Sequence, residues 1–314
     1  MKHFTSVLDI PSLQDWLSEV KALKQHPRKQ IHLGEGKTLG LLFFNNSLRT
    51  RLSTQKAALN LGMDVMIMNF GKDGWALEFA DGTVMNGDSA EHVREAARVV
   101  SQYCDVLGLR VFAQLQNREF DESEPVLNGF LNHVSIPIVN LESALEHPLQ
   151  SLTDALTLEE HRDKPRPKVV LTWTPHPKPL PHAVANSFIK IMQRMPVDLS
   201  IVHPEGYNLN KDIVGQTPVY LNQDEALQDA DFVYAKNWSS YQHYGQVLTQ
   251  DPEWMVTLRK LGDAKFMHCL PVRRNVVVED AVLESQQSLV IQQANNRTYA
   301  AQLVLKKLLE QQTR

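Results

Sequence analysis

Cysteine is nearly absent: Cys104 and Cys269 are the only two in 314 residues, too few for a disulfide framework and without the paired spacing of a zinc site. A reducing, cytoplasmic setting is the expectation. The chain has no basic N-terminal stretch leading into an apolar core, and no apolar run approaches the roughly 18 residues of a membrane span. Neither secretion nor a membrane partner is expected. Positive charge is not in excess either, the formal net charge being -4, so no broad basic surface awaits nucleic acid and any anion site has to be local. No strand is followed by G-x-G-x-x-G, which leaves a nicotinamide cofactor without its fingerprint. Gly36-Lys37-Thr38 looks like the end of a P-loop, but Ile31 stands where the first glycine is required, and the triplet enters a strand instead of leaving one. Neither a cofactor nor a metal is expected. Internal repeats and low-complexity tracts are also missing.

What remains is an ordinary globular composition, 43% hydrophobic and 22% charged, at a length that suits two domains of about 150 residues each. Leu13, Trp16, Leu17, Val20 and Leu23 recur at helical spacing behind Ser12, and short apolar strands then alternate with helices. The pattern predicts strands over 38–44, 64–69, 106–109 and 134–139, and helices over 49–61, 89–103 and from 151. A second series has strands over 169–173, 199–202, 232–234 and 266–269, with helices over 183–195 and near 224–227. Such alternation reads as parallel α/β structure twice over. The expected domains are 1–150 and 151–297, with a C-terminal helix 298–314 returning to the first. That helix carries Ala301, Val304, Leu305, Leu308 and Leu309 as one buried stripe.

Chemistry concentrates first at Ser47-Leu48-Arg49-Thr50-Arg51, where a strand hands over to a helix. Unpaired N–H groups at a helix start, the positive end of its dipole, two hydroxyls and two guanidiniums suit a phosphate. Arg49 and Arg51 alone would be ordinary helix residues. Four more clusters fall at strand ends or in the loops after strands, where open α/β sheets place their ligands. They are Arg110, His147-Pro148-Leu149-Gln150, His268-Cys269-Leu270-Pro271, and Gln293 to Arg297 at the expected start of the last helix. Singly, each has an everyday reading as a surface arginine, a turn, a core cysteine or a helix cap.

In this order the clusters resemble the carbamoyltransferase family, whose S-T-R-T-R, H-P-x-Q and H-C-L-P motifs match 47–51 (except Leu48), 147–150 and 268–271. The resemblance implies two α/β domains of the aspartate/ornithine carbamoyltransferase type, carbamoyl phosphate on the first, a second substrate on the other, and a homotrimer with shared sites. It further implies that Ser47, the Leu48 backbone, Arg49, Thr50 and Arg110 hold the phosphate, that His147 and Arg297 polarise the carbamoyl oxygen, and that Gln150 and the carbonyls of Cys269 and Leu270 accept from its amine.

For the acceptor the departures matter more. Ornithine enzymes of the family carry D-x-W-x-S-M-G where this chain has Lys236-Asn237-Trp238-Ser239-Ser240-Tyr241-Gln242. A lysine repels an α-ammonium and attracts a carboxylate, so an acylated α-nitrogen is indicated. The N-acylornithine carbamoyltransferases are a closer likeness, through Lys236-Asn237-Trp238, 268–275, and the Pro-rich turn 174–181 that borders a knotted crossing in that subgroup. That likeness implies that Glu142, His176, Lys236 and Arg273 contact the acylated amino acid and that Trp75 reaches in from a neighbouring subunit, among the carbamoyl-phosphate contacts. Position 90, Glu in acetyl-type and Pro in succinyl-type members, is Ala90 here. Removing that acid favours a succinyl over an acetyl group. Ala90 also fits a helix start, with Asp88 and Glu91 as a capping box.

Overall fold

The computed structural model describes residues 1–70 and 72–312; the last two positions of the expected C-terminal helix, 313–314, lie outside the described residues. Two compact units form. The first comprises Met1–Gln114, Glu119–Leu149 and the chain from Arg297 onward, and the second comprises Leu115–Arg118 and Gln150–Asn296. The division after Leu149 falls inside the helix Pro148–His161, and the return at Arg297 falls inside the helix Val290–Gln312. Among the described residues no helix is long and apolar enough to cross a membrane.

In the first unit the strands are β1 (Thr38–Phe43), β2 (Asp64–Asn69), β3 (Leu77–Glu78), β4 (Glu91–His92), β5 (Val106–Arg110) and β6 (Ile138–Glu142). The main sheet has the order β2-β1-β5-β6 and is parallel throughout, while β3 and β4 pair separately. Every residue of β5 and β6 is buried; β5 is a central parallel strand, and β6, last in the order, has Phe4 bridged to its Val139. The helix Leu13–Gln25 buries the five residues of its apolar stripe, and Phe4 stacks on Trp16. Lys306 and Lys307 of the last helix both pair with Glu19, and Asn60 donates to Gln302 at 2.9 Å.

The helix Arg49–Leu61 ends on Gly62, whose φ of 83° closes the last turn. A Cβ there would lie 2.1 Å from the Ile31 carbonyl oxygen, so both conformation and space require glycine.

The second unit contains β7 (Lys168–Trp173), β8 (Asp198–Val202), β9 (Val219–Tyr220), β10 (Phe232–Lys236) and β11 (Lys265–Met267), all parallel in the order β11-β10-β7-β8-β9. Its core gathers Val170, Val202, Val233, Phe266, Val278 and Val290.

Several expected boundaries move. The helix expected from 89 starts at Val93, because Glu91–His92 is drawn into the strand pair and Ala90 donates to the Ala76 carbonyl at 3.1 Å. The Asp88/Glu91 capping box is therefore not formed; His92 Nδ1 caps the helix by accepting from the Arg94 amide. The strand expected over 134–139 is Ile138–Glu142. Val134 closes the helix Pro125–His133, and Pro137 has no N–H to give a ladder. The last helix starts at Val290 instead of 298, so Gln293 to Arg297 lie within it. Asn296, expected as a cap residue, donates instead to Thr157 Oγ1 and Glu160 Oε2 at 3.0 and 2.8 Å.

Candidate active site

At the carboxyl ends of β1, β5 and β6, the first unit assembles most of the residues singled out for a phosphate. Ser47 Oγ accepts from the Thr50 amide at 3.2 Å and thereby caps the helix that begins at Arg49. The Thr50 side chain is buried. Its hydroxyl accepts from Arg110 Nη1 at 3.1 Å and from Arg297 Nη2 at 2.6 Å, so one threonine joins the last residue of β5 to the last helix. Arg110 is only 7% exposed, and a charge so buried needs partners. Besides Thr50 it has Glu142 Oε2 at 2.5 Å and the Phe112 ring at 4.5 Å. A register shift between β5 and β6 at Leu109/Arg110 sets Arg110 opposite Glu142. The same Glu142 oxygen lies 3.3 Å from His147 Nε2. Two guanidiniums, an imidazole and a helix start thus converge around one hydroxyl and one carboxylate, an arrangement rich in donors for an anion.

Arg51 takes no part. Its guanidinium packs over the Phe43 ring at 4.8 Å and donates to Asn69. Trp75 is 60% exposed and not a core aromatic, with its indole N–H donating to Glu91 at 2.9 Å. Ala90 is exposed. Glu142, assigned to the acceptor by resemblance, stands with Arg110 and His147.

In the second unit Gln150 Nε2 donates to Asp154 Oδ1 at 2.7 Å, and Gln293 Nε2 reaches the same oxygen at 2.7 Å. Gln293 Oε1 accepts from the His268 amide at 3.0 Å. His268 Nδ1 in turn accepts from the Leu270 amide at 2.8 Å, which holds Leu270 at a φ of 54° in the turn after β11. Asp154 was not marked by the sequence reading, although it lies four residues after Gln150, one helical turn away.

A second cluster in this unit is cationic. Lys236, the last residue of β10, is 8% exposed, too buried for a lysine that points to solvent, and has no acidic partner among the described residues. Arg273 Nε donates to His176 Nε2 at 3.0 Å, and His176 Nδ1 faces the Lys178 backbone, 2.7 Å from its carbonyl oxygen and 3.1 Å from its amide. Burial lowers the His176 pKa, the Lys178 carbonyl opposes this, and the positive charges of Arg273 and Lys236 add to the lowering. Among the described residues no group of three or more His, Cys, Asp and Glu side chains is placed to hold a metal ion.

Residues 2–160 match the family model of the aspartate/ornithine carbamoyltransferase carbamoyl-P binding domain, and residues 181–308 that of the Asp/Orn binding domain. The chain is 49% identical over 315 residues to N-succinylornithine carbamoyltransferase of Bacteroides thetaiotaomicron, covering 99% of each. It is 36% identical over 341 residues to N-acetylornithine carbamoyltransferase of Xanthomonas axonopodis pv. citri, covering 99% of this chain and 97% of that one. Acetylornithine transcarbamylase complexed with acetylcitrulline superposes with a TM-score of 0.92 at 36% identity, covering 98% of this chain and 99% of that one. A variant of N-acetyl-L-ornithine transcarbamylase with one glutamate replaced by alanine, complexed with carbamyl phosphate and N-succinyl-L-norvaline, gives 0.91 at 36% identity, covering 98% and 100%.

Thr50→Val keeps the side-chain shape and removes the hydroxyl that two guanidiniums share. A hydrogen bond to a charged group contributes roughly 1.5–3 kcal/mol, so inorganic phosphate should bind about 10- to 150-fold more weakly to the variant by calorimetry, with its circular dichroism unchanged. Equal affinity for the two proteins would remove Thr50 from the anion site.

Proposed function

The chain belongs to the aspartate/ornithine carbamoyltransferase family, and from that premise we propose that it transfers the carbamoyl group of carbamoyl phosphate to the side-chain amine of N2-succinyl-L-ornithine, giving N-succinyl-L-citrulline and phosphate in arginine biosynthesis. The observation that carries the choice of acceptor is Lys236, a buried cation with no acidic partner among the described residues. A free α-ammonium beside it would meet like charge. An N-acylated ornithine brings no charge at that nitrogen and presents its α-carboxylate, and a succinyl group adds a second carboxylate for Arg273. His176, kept neutral by burial and by its cationic neighbours, adds hydrogen-bonding capacity without further charge.

On the donor side, Ser47, the Leu48 amide, Arg49, Thr50 and Arg110 hold the phosphate. His147 and Arg297 donate to the carbamoyl oxygen as it gains charge, while Gln150 and the carbonyls of Cys269 and Leu270 accept from the carbamoyl amine. The neutral amine attacks the carbonyl carbon, a C–N bond forms, and the C–O bond to phosphate breaks. The proton lost by nitrogen balances the hydrogen phosphate that leaves. One oxyanion donor contributes typically about 2.7–4 kcal/mol, and holding both reactants supplies much of the rest.

Three points favour succinyl. The relative at 49% identity bears that name, whereas the one at 36% is an acetyl enzyme. Ala90 places no acid where acetyl-type members have Glu. A relative whose glutamate was changed to alanine was crystallised with a succinylated ligand. The two free cysteines suit a reducing cytoplasm.

A homotrimer is part of the same reading. The helix Arg49–Leu61 leaves Leu52 and Leu59 exposed, with Leu48 before it, and the edge strand β2 leaves Met66 and Met68 exposed. Apolar side chains in such number on one helix and one sheet edge support a surface covered by a second copy. Trp75, exposed on the same unit, is the residue we assign to a neighbour's site.

Steady-state turnover tests the acceptor. N-succinylornithine should exceed N-acetylornithine in kcat/KM by at least about tenfold, ornithine should be poorer still, and Lys236→Met should cost roughly 10- to 150-fold, mostly in KM for the acylated substrate. Preference for free ornithine would sink the Lys236 argument. In sedimentation, the unaltered chain should run at three times its 35.7 kDa mass and Leu52→Glu below it; a monomeric unaltered chain contradicts the trimer.

A further inference from the structure

We propose that Asp154 is a positioning residue that sets which end of the Gln150 amide faces the carbamoyl group, and so lets the site distinguish a carbamoyl from an acetyl donor. The inference rests on the assignment of carbamoyl phosphate as donor. A side-chain amide has a donor end and an acceptor end of nearly equal shape, and rotating it by half a turn exchanges them. A site that must accept from the N–H groups of a carbamoyl amine needs the oxygen end outward.

Asp154 enforces this. It is fully buried, and its Oδ1 takes the side-chain amide nitrogens of both Gln150 and Gln293, the part of an acceptor. Gln150 Nε2 lies 2.7 Å from Asp154 Oδ1, so the end turned away from Asp154 is the carbonyl. Gln293 is pinned at both ends, its Nε2 on the same oxygen at 2.7 Å and its Oε1 on the His268 amide at 3.0 Å. The carboxylate is therefore held in place by a residue that cannot rotate without losing two hydrogen bonds. The helix Pro148–His161 presents Gln150 and Asp154 one turn apart, which keeps the pair aligned whatever the loops do. His268 belongs to the same network and carries the turn of Cys269 and Leu270, whose carbonyls we assign to the same amine. One buried carboxylate thus orients the acceptors of that amine, directly at Gln150 and through Gln293 and His268 at the turn.

The test compares two ligands of similar size, phosphonoacetamide, which carries the amine, and acetyl phosphate, which has a methyl group in its place. Asp154→Leu keeps the branched shape and removes the acceptor; Asp154→Asn keeps an oxygen where Oδ1 stands. The leucine variant is expected to weaken phosphonoacetamide and raise KM for carbamoyl phosphate at least tenfold while changing acetyl phosphate and inorganic phosphate less than twofold, and the asparagine variant to stay within about threefold of the unaltered enzyme on every ligand. Equal weakening of both ligands in Asp154→Leu, or no weakening, overturns the proposal. If Asp154→Leu does not fold, a neutron structure of the unaltered chain with phosphonoacetamide decides: deuterium on the Gln150 atom nearest Asp154 supports it, and deuterium on the opposite end refutes it. An unaltered chain that binds acetyl phosphate as well as phosphonoacetamide contradicts the donor reading itself, and the proposal with it.

Discussion

Two buried guanidiniums share one threonine hydroxyl, and the proposed phosphate site depends on that sharing. Arg110 and Arg297 arrive from a strand end and a late helix, and Thr50 from the first turn of an early one. Burying an arginine is unfavourable unless its charge and its N–H groups are satisfied. Here a neutral hydroxyl and a single carboxylate, Glu142, partner Arg110 Nη1, while its buried Nε has no hydrogen-bond partner among the described residues, so the positive character that an anion needs is kept. Glu142 also reaches His147, so the histidine assigned to the carbamoyl oxygen and the arginine assigned to the phosphate are positioned by one residue. Charge for binding and rigidity for catalysis come from the same contacts.

The group we assign to the acceptor follows a different rule. Lys236, Arg273 and His176 form a cationic group in which the histidine stays neutral and the lysine has no acid among the described residues. An uncompensated buried cation destabilises the chain that carries it, and a ligand carboxylate relieves the cost on binding. With Lys236 assigned to the acceptor, selection of an acylated over a free amino acid needs no shape argument, only the sign of the charge at the α-nitrogen.

Much of this was legible in the sequence where the signal is local. The helix bounds 49–61, its glycine stop, and the strand 64–69 match because apolar runs, a capping serine and Gly62 lie next to one another in the chain. Local signals were also where the reading slipped. Residues 89–92 look like a capped helix start, yet Glu91 and His92 join a strand pair whose partner lies fourteen residues earlier. Gln293 to Arg297 look like a cap, yet Asn296 is satisfied by Thr157 and Glu160 and the helix runs through. The network residues were hardest to see. Asp154 stands at helical spacing from Gln150, but its meaning comes from Gln293, 139 positions away. Glu142 meets Arg110 only because β5 and β6 are neighbours with a shifted register, which no motif spells out.

The loop and helix start at 47–50, with Arg110, form the proposed seat of the carbamoyl phosphate phosphoryl group. A crystal structure of the chain with carbamoyl phosphate tests it most directly. Phosphate oxygens are expected at hydrogen-bond distance, about 2.7–3.2 Å, from Ser47 Oγ, the Leu48 amide, Arg49, Thr50 and Arg110. Phosphate bound elsewhere, with Thr50 still held by Arg110 and Arg297, would contradict it.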